Sequence, residues 1–166
     1  MRVLAIVLAL VAAGCGPSVV TVRSGDLGTW FKGQYGLELT QVIKRFEPGK
    51  GAGAAYRVGE AVRFVLNLDR QGHVAVISLD LDAQSTPRLL GRYFLAAGDQ
   101  VLPPPGGPSE YRLSPPAGWQ RVRVIFTDRQ GPSALSARDG DAATAAYIRS
   151  SGATVFDVAE TYLVIR

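Results

Sequence analysis

Few residues in this chain are suited to catalysis, and they are scattered along it. His73 is the only histidine, so a Ser-His-Asp arrangement would have to use it, and no G-x-S-x-G segment supplies a nucleophile. Asp80, Asp82, Asp99 and Glu110 are the acids available for a glycosidase pair. Asp80 and Asp82 are expected on one strand face, and solvated acids near a strand end are the simpler interpretation. The sequence therefore predicts no enzyme activity and no cofactor.

Composition also argues against metal sites and nucleic-acid binding. Cys15 is the only cysteine, so neither an intrachain disulfide nor a zinc site built on Cys and His spacing is expected. The chain has no D-x-D-x-D-G loop of the calcium-binding type. Its net charge is +4, but most of the basic residues stand singly between apolar ones and form no basic face with stacking aromatics. We expect no metal and no nucleic-acid partner.

The N-terminus has the form of a secretory signal. Arg2 precedes an apolar run over 3–13, which is shorter than the roughly 20 residues of a membrane-spanning helix. The segment Ala12-Ala13-Gly14-Cys15 resembles the lipobox of bacterial lipoproteins, with alanine at the usual leucine position. We predict a signal peptide over 1–14, lipidation of Cys15 and a membrane-anchored lipoprotein of the bacterial cell envelope, on its periplasmic or extracellular side. The alternative is plain secretion, with cleavage after Ala13 or Gly14.

The stretch 61–81 shows the clearest structural pattern. On both sides of Asp69-Arg70-Gln71-Gly72 every second residue is apolar, a period that is typical of two half-buried strands joined by a short turn. We predict a hairpin in which Gly72 takes the positive φ of the turn. The predicted register pairs Leu68 with His73, Leu66 with Ala75, Phe64 with Ile77, and Val62 with Leu79.

The remaining pattern favours an all-β chain with turn signals at short intervals. After a tether over 15–34, a sandwich domain is predicted over 35–166, starting with a strand at 35–46. Later strands are expected at 88–95, 110–113, 121–127 and 154–165. The segment 141–150 is the one expected helix, with Asp141 as its cap and Gly152 at its end. This predicts a two-sheet antiparallel β-sandwich with at most one short helix.

A set of motifs in the middle of the chain resembles a known family. Tyr56-Arg57-Val58-Gly59-Glu60 precedes a strand, the Asp69–Gly72 turn and a second strand that ends in Asp80, and Pro116-Ala117-Gly118 precedes Val122 and Val124. Together they resemble the bacterial domain of unknown function numbered 4384, over about residues 37–166. The resemblance implies an immunoglobulin-like sandwich, found in secreted or lipid-anchored envelope proteins or appended to signalling proteins. It implies no catalytic residues.

Two kinds of function remain open at this point. The first is a non-enzymatic interaction or structural module, which would contact an envelope protein through an exposed sheet edge or the proline-rich loop 103–108. The second is a domain that binds envelope polysaccharide or peptidoglycan. Its binding candidates are the aromatic residues Trp30, Tyr111 and Trp119.

Overall fold

The computed structural model describes residues 24–80, 86–107 and 110–166. Cys15, Asp82 and the predicted signal peptide lie outside these residues. The described part of the chain contains two helices, α1 (Ser24–Tyr35) and α2 (Gly140–Ser151). Its strands are β1 (Ile43–Pro48), β2 (Ala55–Tyr56), β3 (Ala61–Val62), β4 (Phe64–Leu68), β5 (Gly72–Asp80), β6 (Arg88–Leu95), β7 (Gly98–Leu102), β8 (Tyr111–Arg112), β9 (Gly118–Thr127) and β10 (Phe156–Ile165).

Two sheets pack face to face and form the main core. One sheet has the order β1-β4-β7 and the other β2-β10-β9-β5-β6, while β3 and β8 form a separate small pair. All pairs are antiparallel except that of β2 with β10. Side chains from both large sheets, such as Leu66, Val76, Phe126 and Leu163, meet in one fully buried cluster. The predicted β-rich fold of antiparallel sheets is confirmed at this level, and the small β3-β8 pair adds a third sheet to the two that were predicted.

The predicted hairpin is wrong, because its two arms belong to different sheets. β4 pairs with β1 and β7, whereas β5 pairs with β6 and β9. Phe64 lies in the core between the sheets, and Ile77 points to the other side of the five-stranded sheet. Val74 and Val76 face Phe64 instead. The chain therefore crosses from one sheet to the other between residues 68 and 72, and the strands stack rather than pair.

β5 is buried on both of its faces. Val74 and Val76 contribute to the core between the sheets, while Ala75, Ile77 and Leu79 contribute to a second core under the helices. Such continuous burial is typical of a central strand that is covered on both sides. The run of apolar residues at 74–77 is the sequence signal for this position.

The second core also corrects the predicted number of helices. α1 lies in the segment predicted as a tether, where Leu27 and Phe31 are one helical turn apart and both buried. The helix ends at Gly36, whose φ of 67° places it in the left-handed region. The first strand consequently starts at Ile43 rather than Tyr35. The segment from residue 27 onward is thus part of the packed domain.

α2 confirms the predicted helix, with a different cap. Asp139, not Asp141, accepts hydrogen bonds from the backbone N–H groups of Asp141 and Ala142, at 3.0 and 2.8 Å. Gly152 ends the helix at a φ of 64°, as expected. One face of α2, including Tyr147 and Ile148, packs against the five-stranded sheet.

The repeated segment Asp-Arg-Gln-Gly, at 69–72 and 128–131, uses its glycine for close packing. Gly72 starts β5, and its φ is not positive, contrary to the prediction. A Cβ there would lie 2.5 Å from the Phe126 ring, and a Cβ on Gly131 would lie 2.2 Å from the Tyr147 ring. Both glycines are therefore required by an aromatic ring that packs on the backbone.

Candidate ligand-binding cleft

The residues considered for catalysis lie in separate surroundings. The His73 ring contacts Phe94 edge-on, with 5.0 Å between centroids. Asp99 lies in the other sheet and accepts a hydrogen bond from Asn67 at 2.8 Å. Glu110 forms an ion pair with Arg112 at 2.6 Å. Within the described ranges, no group of three or more His, Cys, Asp or Glu residues is arranged to hold a metal ion.

A cleft of about 430 Å³ opens at one end of the sandwich. The small β3-β8 pair forms one side of it, and the start of β6 forms another. The start of β9 and the end of β10 complete the cleft from the five-stranded sheet. Its lining residues are Val62, Phe64, Ser78, Arg88, Leu89, Leu90, Glu110, Tyr111, Arg112, Leu113, Ser114, Gln120, Val122, Leu163 and Ile165.

The floor of the cleft is apolar because it is continuous with the sandwich core. Val62, Phe64, Val122 and Leu163 lie in it and are all nearly or fully buried. The period of two along β9 directs Gln120 to the same face as Val122, so one polar group stands where the floor meets solvent. An apolar interior with a few polar groups at its rim is the usual composition of a small-molecule or side-chain binding site.

Tyr111 is the sequence-predicted binding residue that lines this cleft. Its hydroxyl and that of Tyr93 are 2.7 Å apart, and its ring centroid lies 6.1 Å from that of Phe64. Burial raises the pKa of Tyr111, and the hydrogen bond with Tyr93 raises it further. Tyr111 is therefore neutral at physiological pH, and the wall that it forms is aromatic and uncharged.

The other two aromatic candidates lie elsewhere. Trp30 is half-exposed on α1, and its Nε1 donates to Asp141 Oδ2 at 2.9 Å. Trp119 is half-exposed on β9, on the strand face opposite to that of Gln120 and Val122. The structure does not bring the three aromatic candidates together into one platform.

The charged rim of the cleft was not predicted. Arg112 is held in place, since its Nη1 donates to the Gly59 carbonyl at 3.1 Å and its Nη2 to Glu110. Arg88 is exposed and forms no ion pair within the described ranges. In the sequence Arg88 is one basic residue at a strand start, and nothing in that pattern relates it to Tyr111 or Leu163.

The strands that build most of this cleft carry the motifs noted in the sequence, from the Tyr56–Glu60 segment to β9. Residues 55–130 match the family model described as Domain of unknown function (DUF4384). The predicted resemblance to DUF4384 is thus confirmed, over a shorter range than about 37–166. Neither a curated protein nor a solved structure gives a match to this chain.

The DUF4384 match and the cleft overlap incompletely. The matched range runs from β2 through β9 and contains all cleft residues except Leu163 and Ile165, which β10 supplies. α1 and α2 lie outside the match as well. The DUF4384 segment therefore needs β10 to complete both its larger sheet and the cleft floor.

Regarding the membrane, none of the described helices combines the length and the apolar character that a crossing requires.

A buried ion-pair cluster fixes the helices to the sheet on the side away from the cleft. Arg123 is 1% exposed, and its Nε donates to Glu160 Oε2 at 2.9 Å. Its Nη2 donates to Asp141 Oδ1 at 2.7 Å, and its Nη1 donates to Thr144 Oγ1 at 2.8 Å. Because these partners belong to β10 and α2, the cluster joins three elements. In the sequence Arg123 is one of the basic residues that stand singly between apolar ones, and that pattern does not predict its burial.

Proposed function

We propose that this protein is a bacterial cell-envelope lipoprotein whose sandwich, of immunoglobulin-like type, is a non-enzymatic interaction module. The observation that supports a binding role is the apolar cleft with its polar rim at the end of the two sheets. Its volume of about 430 Å³ falls within the usual range for ligand sites. The cleft takes an apolar group of a partner, and Cys15 carries the lipid anchor.

The partner is proposed to be an envelope protein rather than a substrate. Apart from Arg88, the polar groups at the rim are already engaged with each other: Arg112 with Glu110, and Gln120 Nε2 with Ser78 Oγ at 3.1 Å. Rim groups that already bond to each other are suited to orient a bound partner and to select it, and they are poorly suited to transfer protons. A side chain of a partner that enters the cleft would be surrounded by apolar floor and by these fixed polar groups.

The lipid anchor can be tested separately from the cleft. Metabolic labelling of the producing cells with a fatty-acid probe should mark the wild-type chain and leave Cys15→Ser unlabelled, because the thiol is the acceptor of the lipid. Fractionation should then place the wild type with membranes, since two or more acyl chains give stable attachment. Equal labelling of the two proteins would contradict the proposed anchor.

Occupying the mouth of the cleft should abolish partner binding. Ser114 is exposed and lines the cleft, so Ser114→Trp places a large ring at the opening with little effect on the core. We expect crosslinking in intact envelopes to capture one defined protein with the wild type and to lose it with Ser114→Trp. The measurement is the amount of crosslinked adduct, identified by mass spectrometry.

The matched control for this experiment is Ser133→Trp. Ser133 is also exposed but does not line the cleft, so its variant should capture as much partner as the wild type does. Equal capture by all three proteins would exclude the cleft as the contact site.

Glycan binding is the second candidate, and Trp119 is the observation that favours it. Trp119 is 47% exposed on β9, and Arg121 follows on the same strand face. An exposed indole beside a guanidinium suits a sugar ring with polar substituents. Retention of the protein on purified cell-wall glycan, lost in Trp119→Ala and kept in Ser114→Trp, would favour this candidate over the cleft.

A further inference from the structure

We propose that the partner segment binds as an extended strand added to the outer edge of β6, with one apolar side chain in the cleft and acidic side chains on the opposite face. This inference rests on the proposed binding role of the cleft and specifies how that site is used. It follows from the position of β6, from the place where the cleft meets it, and from the charges along it.

β6 is an open and long sheet edge. It lies at the end of the five-stranded sheet, and within the described ranges no strand pairs with its outer side. It has 8 residues, whereas the other edges of the two large sheets, β1, β7 and β2, have 6, 5 and 2. Unpaired backbone groups along such an edge are a template for a further strand.

The cleft opens beside this edge. Arg88, Leu89 and Leu90 of β6 line it, together with Ser78 of the neighbouring β5. Leu90 is skipped in the pairing with β5, where the register shifts between Val76 and Ile77. Because directly opposed residues of paired strands point to the same sheet face, alternate side chains of an added strand would point toward the cleft side.

The charges on β6 specify an acidic partner. Arg92 lies on the other face of β6 with Phe94, since they pair with Ala75 and His73 of β5. Phe94 is 62% exposed, more than any other large apolar residue that the structure describes. An added strand with acidic residues on this face would meet Arg92 and shield Phe94. A second copy of β6 would instead bring arginines together, which disfavours self-pairing.

The test uses synthetic peptides of about eight residues, the length of β6, and the purified protein. An alternating Glu-Val peptide should bind, and a Lys-Val peptide of equal length should bind at least about tenfold more weakly. Affinity is measured by fluorescence anisotropy at low salt. Hydrogen exchange followed by NMR should show new protection of alternate backbone amides between Gly91 and Leu95.

Two backbone-methylated forms of the Glu-Val peptide distinguish strand addition from other binding. Only alternate N–H groups of an added strand point to its neighbour, so methylation in one frame should abolish binding and methylation in the other should not. Loss of each backbone hydrogen bond, summed over the frame, predicts a change of about tenfold or more. Equal affinity of the two methylated peptides would overturn the proposal.

The experiments distinguish a failure of the proposed binding in the cleft from a failure of the proposed strand addition at β6. If Ser114→Trp weakens peptide binding while both methylated peptides bind alike, the cleft binds the partner and strand addition is wrong. If no peptide binds at millimolar concentration, this inference is overturned, and the proposed function is still decided by capture in intact envelopes. If Ser114→Trp changes neither peptide binding nor capture, both are overturned.

Discussion

Replacing Arg123 by methionine is expected to lower the free energy of unfolding by about 3–5 kcal/mol, because the buried carboxylate of Glu160 loses its shortest ion pair. Among the described residues it keeps only Arg121 Nη1 at 3.6 Å and the hydrogen bond from the Tyr162 hydroxyl. The side chains of Arg123 and Glu160 are 1% and 2% exposed, and the contact between Nη2 and Oε2 measures 2.6 Å. Equilibrium unfolding in urea measures the effect. The urea concentration at the midpoint should fall, while the slope of the free energy of unfolding against urea concentration stays unchanged. The double variant Arg123→Met with Glu160→Met should be less destabilised than the single one, since no buried carboxylate that has lost Arg123 remains at position 160.

The control for the Arg123 variant is an ion pair at the surface. Lys44 Nζ lies 3.4 Å from Asp69 Oδ2, and both side chains are more than half exposed. Lys44→Met should therefore change stability by less than about 1 kcal/mol. A loss in Arg123→Met no larger than that in Lys44→Met would show that the buried cluster does not hold the helices to the sheet.

Phe31→Ala is expected to destabilise the protein by about 3–5 kcal/mol, the usual cost of removing a fully buried phenylalanine. Phe31 is 0% exposed, packs in the core under the helices, and has Arg123 5.3 Å from its ring centroid. If 15–34 were merely a tether, this substitution would have no effect. Equilibrium unfolding in urea measures the loss of stability. If α1 no longer packs on the domain, the slope of the free energy of unfolding against urea concentration should also fall.

Gln34→Ala on the same helix is the matched control. Gln34 is exposed, and alanine favours a helix, so stability should stay within about 0.5 kcal/mol of the wild type. If Phe31→Ala behaved like Gln34→Ala, α1 would not be part of the core.

Local patterns predicted the individual strands well and their pairing poorly. The bounds of β6, a strand within β9 and the end of α2 at Gly152 were all predicted. Each depends on side-chain alternation or on one residue with a special backbone conformation. Such signals are present in the sequence itself.

The register of 61–81 was wrong because alternation is the same in a hairpin and in two stacked strands. A hairpin places Phe64 beside Ile77, whereas stacked strands bring the face of Phe64 toward Val74 and Val76. The feature that distinguishes the two arrangements is that β5 is apolar on both faces, as expected of a strand that is covered on both sides. α1 was missed because Gly28 and Gly33 weaken its helical pattern, although Gly36 follows it as a helix-ending residue.

The cleft could not be predicted because distant segments build it. Val62, Leu90, Tyr111 and Leu163 become neighbours only when both sheets and the small β3-β8 pair are in place. The sequence shows that Tyr111 is aromatic, but its position in the wall of the cleft depends on its contact with Tyr93. Arg123 likewise appears solvated until α2 covers it.

The crossing of the chain between β4 and β5 has a consequence for the time course of folding. Each of these strands has one partner far along the chain: β4 pairs with β7, and β5 with β9, and the paired residues lie thirty or more positions apart. Closing loops of that size loses conformational entropy before any pairing is gained. Domains dominated by such remote pairing fold in about milliseconds to seconds. A newly synthesised chain would therefore keep its strand edges accessible for that long.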